Sequence, residues 1–266
     1  MYSGKVVIVT GGTDGIGKAL VELLITKGAL VATCGRKTEK LEQLQKEISN
    51  QNLLALSCDV SDEISAKKFI EEVVHHFGKI DILINNAGIS MRSLFSDVSL
   101  DTMKQVMNVN FWGAVHCTKY ALDSIIENKG TIAAISSIAG HRGLPGRSGY
   151  SASKFALNGW MEALRTELLD TGVNVLWISP GFTQSNVRKA ALTKNSEVQG
   201  QSPLNESKLM TADECGKLIL SAIEKRKRNA VFTFQGKETV FMNKFFPSLT
   251  DRLTRKFFIK NGKLIK

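Results

Sequence analysis

The feature that most restricts how this chain can fold is an alternation. Short runs that are apolar on both faces give way repeatedly to stretches whose apolar residues recur at helical spacing. The runs at 5–10, 30–34, 53–58, 80–85, 131–136 and 173–179 are rich in β-branched residues and lack the polar second position of a half-solvated strand. Strands of that kind are covered on both sides, as in a parallel sheet flanked by helices. The stretches at 17–27, 38–50, 64–77, 101–128, 150–170 and 212–227 supply the helices, for example through Leu20, Leu23 and Leu24 or Phe69, Val73 and Phe77. Six or seven such units predict an α/β class fold, one doubly wound domain with a mainly parallel seven-stranded sheet and helices on both faces. In such a sheet ligands bind outside the carboxyl ends of the strands, so chemistry is expected just past each run.

Composition narrows the class further. With 266 residues, 43% hydrophobic and 23% charged, the chain can bury a core and is neither collagen-like nor disordered. Its longest charge-free run, 171–187, contains Asn174, Ser179, Pro180 and Gly181, which suits a strand entering a loop better than a membrane span. Only four apolar residues follow Lys5, too few for a signal-peptide core, and the reading is a cytoplasmic protein. Cys34, Cys58, Cys117 and Cys215 are too widely spaced to suggest a zinc site or a disulfide frame. Charge is concentrated at one end: residues 224–266 hold twelve Lys or Arg against three acids, and so nine of the ten net positive charges.

Thr10 closes the first run and is followed by Gly11, Gly12, Thr13, Asp14, Gly15, Ile16 and Gly17 at a helix start. Such glycines let backbone N–H groups approach a pyrophosphate at the positive end of a helix dipole; a glycine-rich turn without a ligand is the alternative. After the second run come Gly35, Arg36, Lys37 and Thr38, with no acid to hold a ribose 2′-hydroxyl. Arg36 and Lys37 suit a 2′-phosphate, which favours NADP(H) over NAD(H), although Asp14 would repel a phosphate close to it. Asp59 and Val60 are placed to meet an adenine, or Asp59 caps the next helix. Asn85, Asn86, Ala87 and Gly88 are small and polar where a cofactor must pass, or form only a turn. Tyr150 and Lys154 lie four residues apart and so share a helix face, where an ammonium would lower the phenol pKa toward a useful range. Ser137, at the end of the fifth run, would orient a carbonyl nearby.

In these motifs the chain resembles the short-chain dehydrogenases/reductases over about residues 5–234. The pieces stand in family order: 10–17 as TGxxxGIG, Asp59 with Val60, 85–88 as NNAG, 110–113 as NxxG, Ser137, 150–154 as YxxxK, and Pro180 with Gly181. The resemblance implies a Rossmann-like fold and a hydride exchanged between a nicotinamide and a ketone or secondary alcohol. It implies that Tyr150 exchanges a proton with the substrate oxygen, that Ser137 holds that oxygen, and that Lys154 binds the nicotinamide ribose and lowers the Tyr150 pKa. Asn110 would hold a water in a relay from Lys154, unless it only caps or kinks its helix; Pro180, Gly181 and Thr183 would border the nicotinamide. No metal is implied. Assembly as a homodimer or homotetramer through the helices at 101–128 and 150–170 is implied as well. A regulatory protein that binds the cofactor without turnover and a membrane-surface protein acting through its basic C-terminal tail are the competing functions.

Substrate choice is expected from segments 90–95, 141–149 and 182–210, with Met91, Leu94, Phe95, Leu144, Phe182 and Leu192 as an apolar lining and Arg92, Arg142 and Arg147 near its rim. An apolar or lipid-like small-molecule carbonyl follows. The expected domains are a catalytic, cofactor-binding unit at 1–240 and a basic, aromatic extension at 241–266. There Phe245, Phe246, Leu249, Leu253, Phe257 and Phe258 recur every three or four residues and predict an amphipathic helix after Pro247. Packing on the body or a partner subunit is the first reading of this tail, and peripheral contact with a membrane surface the second. Nucleic acid is not expected, because the basic run at 225–228 comes without a reading module.

Overall fold

Successive residues of the first strand point into different cores, and this explains why its run has no polar face. In the computed structural model, which describes residues 1–265, β1 (Val6–Thr10) sends Val6 and Ile8 to one side of the sheet and Val7 and Val9 to the other. Lys266, the last residue of the expected extension, lies outside the described residues.

Strands β2 (Leu30–Gly35), β3 (Leu53–Ser57), β4 (Ile82–Asn85), β5 (Thr131–Ile135), β6 (Asn174–Ser179) and β7 (Asn229–Val231) complete a seven-stranded sheet in the order β3-β2-β1-β4-β5-β6-β7. Every pairing in it is parallel. Helices α1 (Gly15–Thr26) and α7 (Ala212–Glu224) cover one face through Leu20, Leu24, Ile219 and Ile223, joined by Leu44 of α2 (Thr38–Ile48). Helices α3 (Glu63–Phe77), α5 (Gly113–Glu127) and α6 (Ser148–Glu167) cover the other through Phe69, Val73, Cys117, Ile125, Leu157 and Met161. All four cysteines are buried. The strand order reverses between β1 and β4, the place where a doubly wound sheet opens a crevice.

Some expectations need correction. The single helix expected over 101–128 is α4 (Leu100–Met107) and α5 joined by a π-helical turn at Asn108–Trp112, which leaves the chain helical throughout but widens it at Asn110. The short seventh strand, β7, has no apolar run of its own in the sequence, because it is a three-residue edge carrying Asn229. Asp59 does not cap α3; Asp62 does, accepting from Ser65 N at 2.6 Å, while Asp59 accepts from Ser61 N and Oγ.

The tail is built into the fold. The expected boundary at 240/241 falls inside α8 (Phe234–Phe245), which is followed by α9 (Pro247–Phe258) and a small hairpin of β8 (Ile259–Lys260) and β9 (Lys263–Leu264). Asn243 donates to the His141 carbonyl at 2.9 Å, and Arg142 reaches Asn243 at 3.0 Å and Asp251 at 2.6 Å. Arg92 donates to the Leu264 carbonyl at 3.2 Å, and Phe258 is buried. Phe241, Phe245, Phe246, Leu249 and Leu253 remain exposed on the outer side. No helix among the described residues is long and apolar enough to cross a membrane.

Candidate active site

The site begins with a turn that only glycine can make. Past β1 the chain must reverse within a few residues and enter α1. Gly11 takes φ +70°, and a side chain there would meet the Ala87 backbone at 3.0 Å. Gly17 lies so close to the Gly11 carbonyl and the Asn86 amide that a Cβ would overlap both. A clasp across the switch point fixes the turn: Thr10 Oγ1 accepts from the backbone N–H of Asn86 and of Ala87, each at 3.0 Å, while Asn86 Nδ2 donates to the carbonyls of Thr10 and Gly11. The first N–H groups of α1 stay open toward the crevice, because Asp14 at the N-cap makes no capping bond.

Asp14 is bonded to Asn186 and Lys40 instead. Partial burial pushes its carboxyl up, but hydrogen bonds from Asn186 and Lys40 and the Lys40 charge outweigh that and hold it below the ordinary range. The repulsion toward a phosphate expected from Asp14 is thus offset by a lysine that the sequence reading did not single out. Arg36 is more than half exposed beside the Gly35 turn, with Asp59 Oδ2 at 4.0 Å as its ion-pair partner.

These groups share one cavity of about 1050 Å³ along the carboxyl ends of the strands. That exceeds the usual range of about 300–1,000 Å³ for small-molecule pockets. Gly11, Thr13, Asp14, Gly15, Ile16, Gly17, Arg36, Lys37, Asp59, Val60, Asn86, Ala87, Gly88, Pro180, Gly181 and Thr183 all line it, together with Ser137, Tyr150 and Lys154. A cradle of open N–H groups, glycines without room for a side chain and a basic rim fits a dinucleotide.

Asn110 is the expected site residue that does not line the cavity. It is buried behind it in the π turn, where Oδ1 accepts from Ile89 N at 2.8 Å and Nδ2 donates to the Ile89 carbonyl and to Ser153 Oγ. These bonds occupy its amide in tying the π turn to the loop after β4. Asn110 neither caps nor breaks its helix.

Tyr150 and Lys154 do share a face of α6, with Lys154 Nζ 5.8 Å from the center of the tyrosine ring. The electrostatics differ from expectation. Burial raises the Tyr150 pKa above its usual value, against the pull of a hydrogen bond from Ser137 and of the Arg147 and Arg188 charges. Lys154 is itself buried, donates to the Ile135 carbonyl at 2.8 Å and is lowered by burial to about 8. The Lys154 ammonium is already bonded to a carbonyl, and the groups that pull the phenol down are Ser137, Arg147 and Arg188 instead.

The expected lining is corrected in part. Leu144 and Phe182 line the cavity, whereas Met91 and Leu192 are buried in a separate small cluster with Val106, and Phe95 is exposed. Met242, Leu253, Phe257 and Phe258 of the tail supply the missing apolar wall. Arg147 lies not at a rim but 8% exposed within the structure. Asn158, one turn past Lys154, was missed; it accepts from Ser136 at 2.6 Å and donates to the Gly140 carbonyl, fixing the loop that carries Ser137. Its spacing of four from Lys154 was the available signal. The 182–210 segment is held by Arg188, which forms two bonds to the Glu206 carboxylate and holds it at about 2.

Comparison with known proteins places this geometry. The short chain dehydrogenase family model matches residues 5–196. The mouse protein named Dehydrogenase/reductase SDR family member 7B is 34% identical over 256 residues, covering 93% of this chain and 79% of its own length. A short chain dehydrogenase/reductase from Burkholderia phymatum, solved with NAD, superposes with a TM-score of 0.82 at 20% identity, over 93% of this chain and 95% of that one. An alcohol dehydrogenase from Thermococcus sibiricus, complexed with 5-hydroxy-NADP, gives 0.76 at 22% identity, over 86% and 95%.

The Lys154 pKa sets a test of the cofactor-free protein. In the folded state the lysine holds its proton only below about 8, against 10.5 in the unfolded chain, so between those values the unfolded state binds more protons and stability rises with pH. Lys154→Met is expected to stabilise the free protein most at pH 7, with a gain that shrinks toward about pH 10.5; denaturant unfolding across this range measures it.

Proposed function

The chain belongs to the short-chain dehydrogenase family of oxidoreductases, and from that premise we propose that it moves a hydride between NADP(H) and a ketone or secondary alcohol bearing an apolar, lipid-like substituent. The observation that carries this reading is the meeting of Ser137, Tyr150 and Lys154 with the glycine turn in one cavity whose outer wall is apolar. Members of the family act on small molecules and commonly oligomerise.

Bound nicotinamide would supply or accept the hydride. The protein handles the proton. Ser137 and Tyr150 both line the cavity, so a carbonyl oxygen entering between their hydroxyls would accept from both. As the carbonyl is reduced, Tyr150 gives its proton to the developing alkoxide, and the phenolate left behind is stabilised by Ser137, Arg147 and Arg188. Lys154 would hold the nicotinamide ribose, a reading supported by its place in the cavity lining and by the bond to the Ile135 carbonyl that fixes its ammonium.

NADP(H) is favoured over NAD(H) by the charges around the turn after β2. Arg36, Lys37 and Lys40 line that end of the cavity, and Lys40 offsets Asp14. Guanidinium suits a phosphate through paired, charge-assisted bonds.

The tail supports a place at a membrane surface. Phe241, Phe245, Phe246, Leu249 and Leu253 form an exposed apolar face beside Lys244, Arg252, Arg255 and Lys256, a pairing that suits anionic headgroups. On this reading the protein is cytoplasmic and peripheral to the membrane.

Four outcomes test these assignments. Tyr150→Phe should cut turnover by about 10²–10⁴-fold and leave NADPH binding intact. Because burial raises the Tyr150 pKa, the native enzyme should reduce ketones well at neutral pH and oxidise alcohols faster as pH rises, read from pH–rate profiles in both directions. Arg36→Ala should weaken NADPH binding at least about tenfold and NADH binding far less; equal losses would remove Arg36 from the phosphate site. In vesicle sedimentation the native chain should pellet with anionic vesicles, and Phe245→Ser/Phe246→Ser should stay in solution.

A further inference from the structure

Arg147 is a buried cation of the cavity with no ion-pair partner among the described residues. Arg147 stands at the N-cap of α6, three residues before Tyr150, and lines the cavity while remaining only 8% exposed. Its Nη1 is buried and has no hydrogen-bond partner. The ring of Phe258 attends one side of the guanidinium, 5.7 Å away. The charges that reach it from neighbouring elements are positive, from Arg92 and Arg188, apart from what Tyr150 can offer when ionised. Arg188 is already paired with Glu206, whereas Arg147 has no acid within ion-pair distance among the described residues.

Burying a guanidinium in this way is costly, and proteins rarely leave one unpaired. Desolvation lowers Arg147 only to about 10, so it keeps its charge at neutral pH. Its position adds to the imbalance. Helix α6 runs for twenty residues with no side-chain cap and no acid in its first turn, so its positive end and the arginine at its N-cap act in the same direction. A phenol, one apolar tail residue and three arginines do not complete this site; a negative charge does.

Resting on the carbonyl–alcohol reading above, we propose that Arg147 is a specificity-determining residue that binds an anionic group, a carboxylate or a phosphate monoester, carried on the substrate close to its reacting carbon. The substrate is then an amphiphile. Its reacting oxygen lies between Ser137 and Tyr150, its charge meets Arg147, and its apolar chain runs along Leu144, Met242, Leu253 and Phe257. A planar guanidinium with a free Nη1 accommodates either anion in a charge-assisted bond, whereas an uncharged ketone of the same length leaves Arg147 buried and unanswered. Discrimination therefore comes from the cost of the unpaired cation as much as from the contact itself.

The test uses the full chain with NADPH and matched ketones: γ-oxodecanoate against its methyl ester, and γ-oxodecyl phosphate against the corresponding methyl ether. The native protein should prefer at least one charged ketone over its neutral partner by at least about tenfold in kcat/KM, and the carboxylate and phosphate arms identify which anion is meant. Arg147→Met should erase the preference, lowering kcat/KM for charged ketones at least about tenfold more than for their neutral partners, and Arg147→Lys should keep part of it. A purely structural role for Arg147 would instead lower charged and neutral substrates alike, and that result overturns the proposal. Calorimetric binding of the same four compounds separates this inference from the oxidoreductase reading. Charge-dependent binding that Arg147→Met removes supports the anion site even where turnover fails, and no charge preference in either readout overturns it.

Discussion

Everything at the cavity depends on the clasp between the ends of β1 and β4. Parallel strands at a switch point send their connections to opposite faces, so nothing in the sheet ladder itself holds the two loops together beyond the last pair, Val9 with Ile84. Four hydrogen bonds supply what the ladder lacks, donated across the gap by Asn86 and Ala87 to Thr10 and Gly11. With that link in place the glycine turn has one conformation and the α1 N–H groups face the crevice. Asn110 repeats the device one layer deeper by tying the π turn to Ile89. The crevice is rigid because side-chain amides stand in for strand pairing where pairing must stop.

How much of this could be read from the sequence follows from the range of each interaction. The glycine turn, the Tyr150–Lys154 spacing and the strand runs are local, and each carries a steric or periodic requirement that few residue types satisfy. The seventh strand could not be read because an edge of three residues needs no apolar run. Lys40 opposite Asp14, Glu206 opposite Arg188 and Asn243 against His141 join segments far apart in the chain, and nothing in the spacing of lysines or arginines says which acid or carbonyl each will find. Arg147 shows the same limit more sharply. A sequence places an arginine in a loop and suggests a rim; only the packing of α9 over that loop buries it.

The inversion of the tyrosine–lysine electrostatics has the same origin. Reasoning from spacing treats the two groups as a pair in isolation, where the ammonium favours phenolate. In the folded chain both are desolvated, and desolvation acts against the charged form of each: it raises the acid and lowers the base. The protein answers this from a different direction, with Ser137 and two arginines pulling on the phenol. Control of the proton therefore lies partly with residues outside the motif that advertises the chemistry, and those residues come from the loop before α6 and from the segment after β6.

The exposed side of α9 and the cavity wall are two aspects of one helix. Leu253 lines the cavity yet keeps 53% of its surface in contact with the outside, so the entrance is bordered by the same greasy strip that carries Leu249 and Phe245. A hydrophobic molecule adsorbed on that strip is already at the doorway. For an apolar substrate of the kind proposed, delivery to Tyr150 would then be a short lateral search over a surface, with the local supply set by partitioning into that layer.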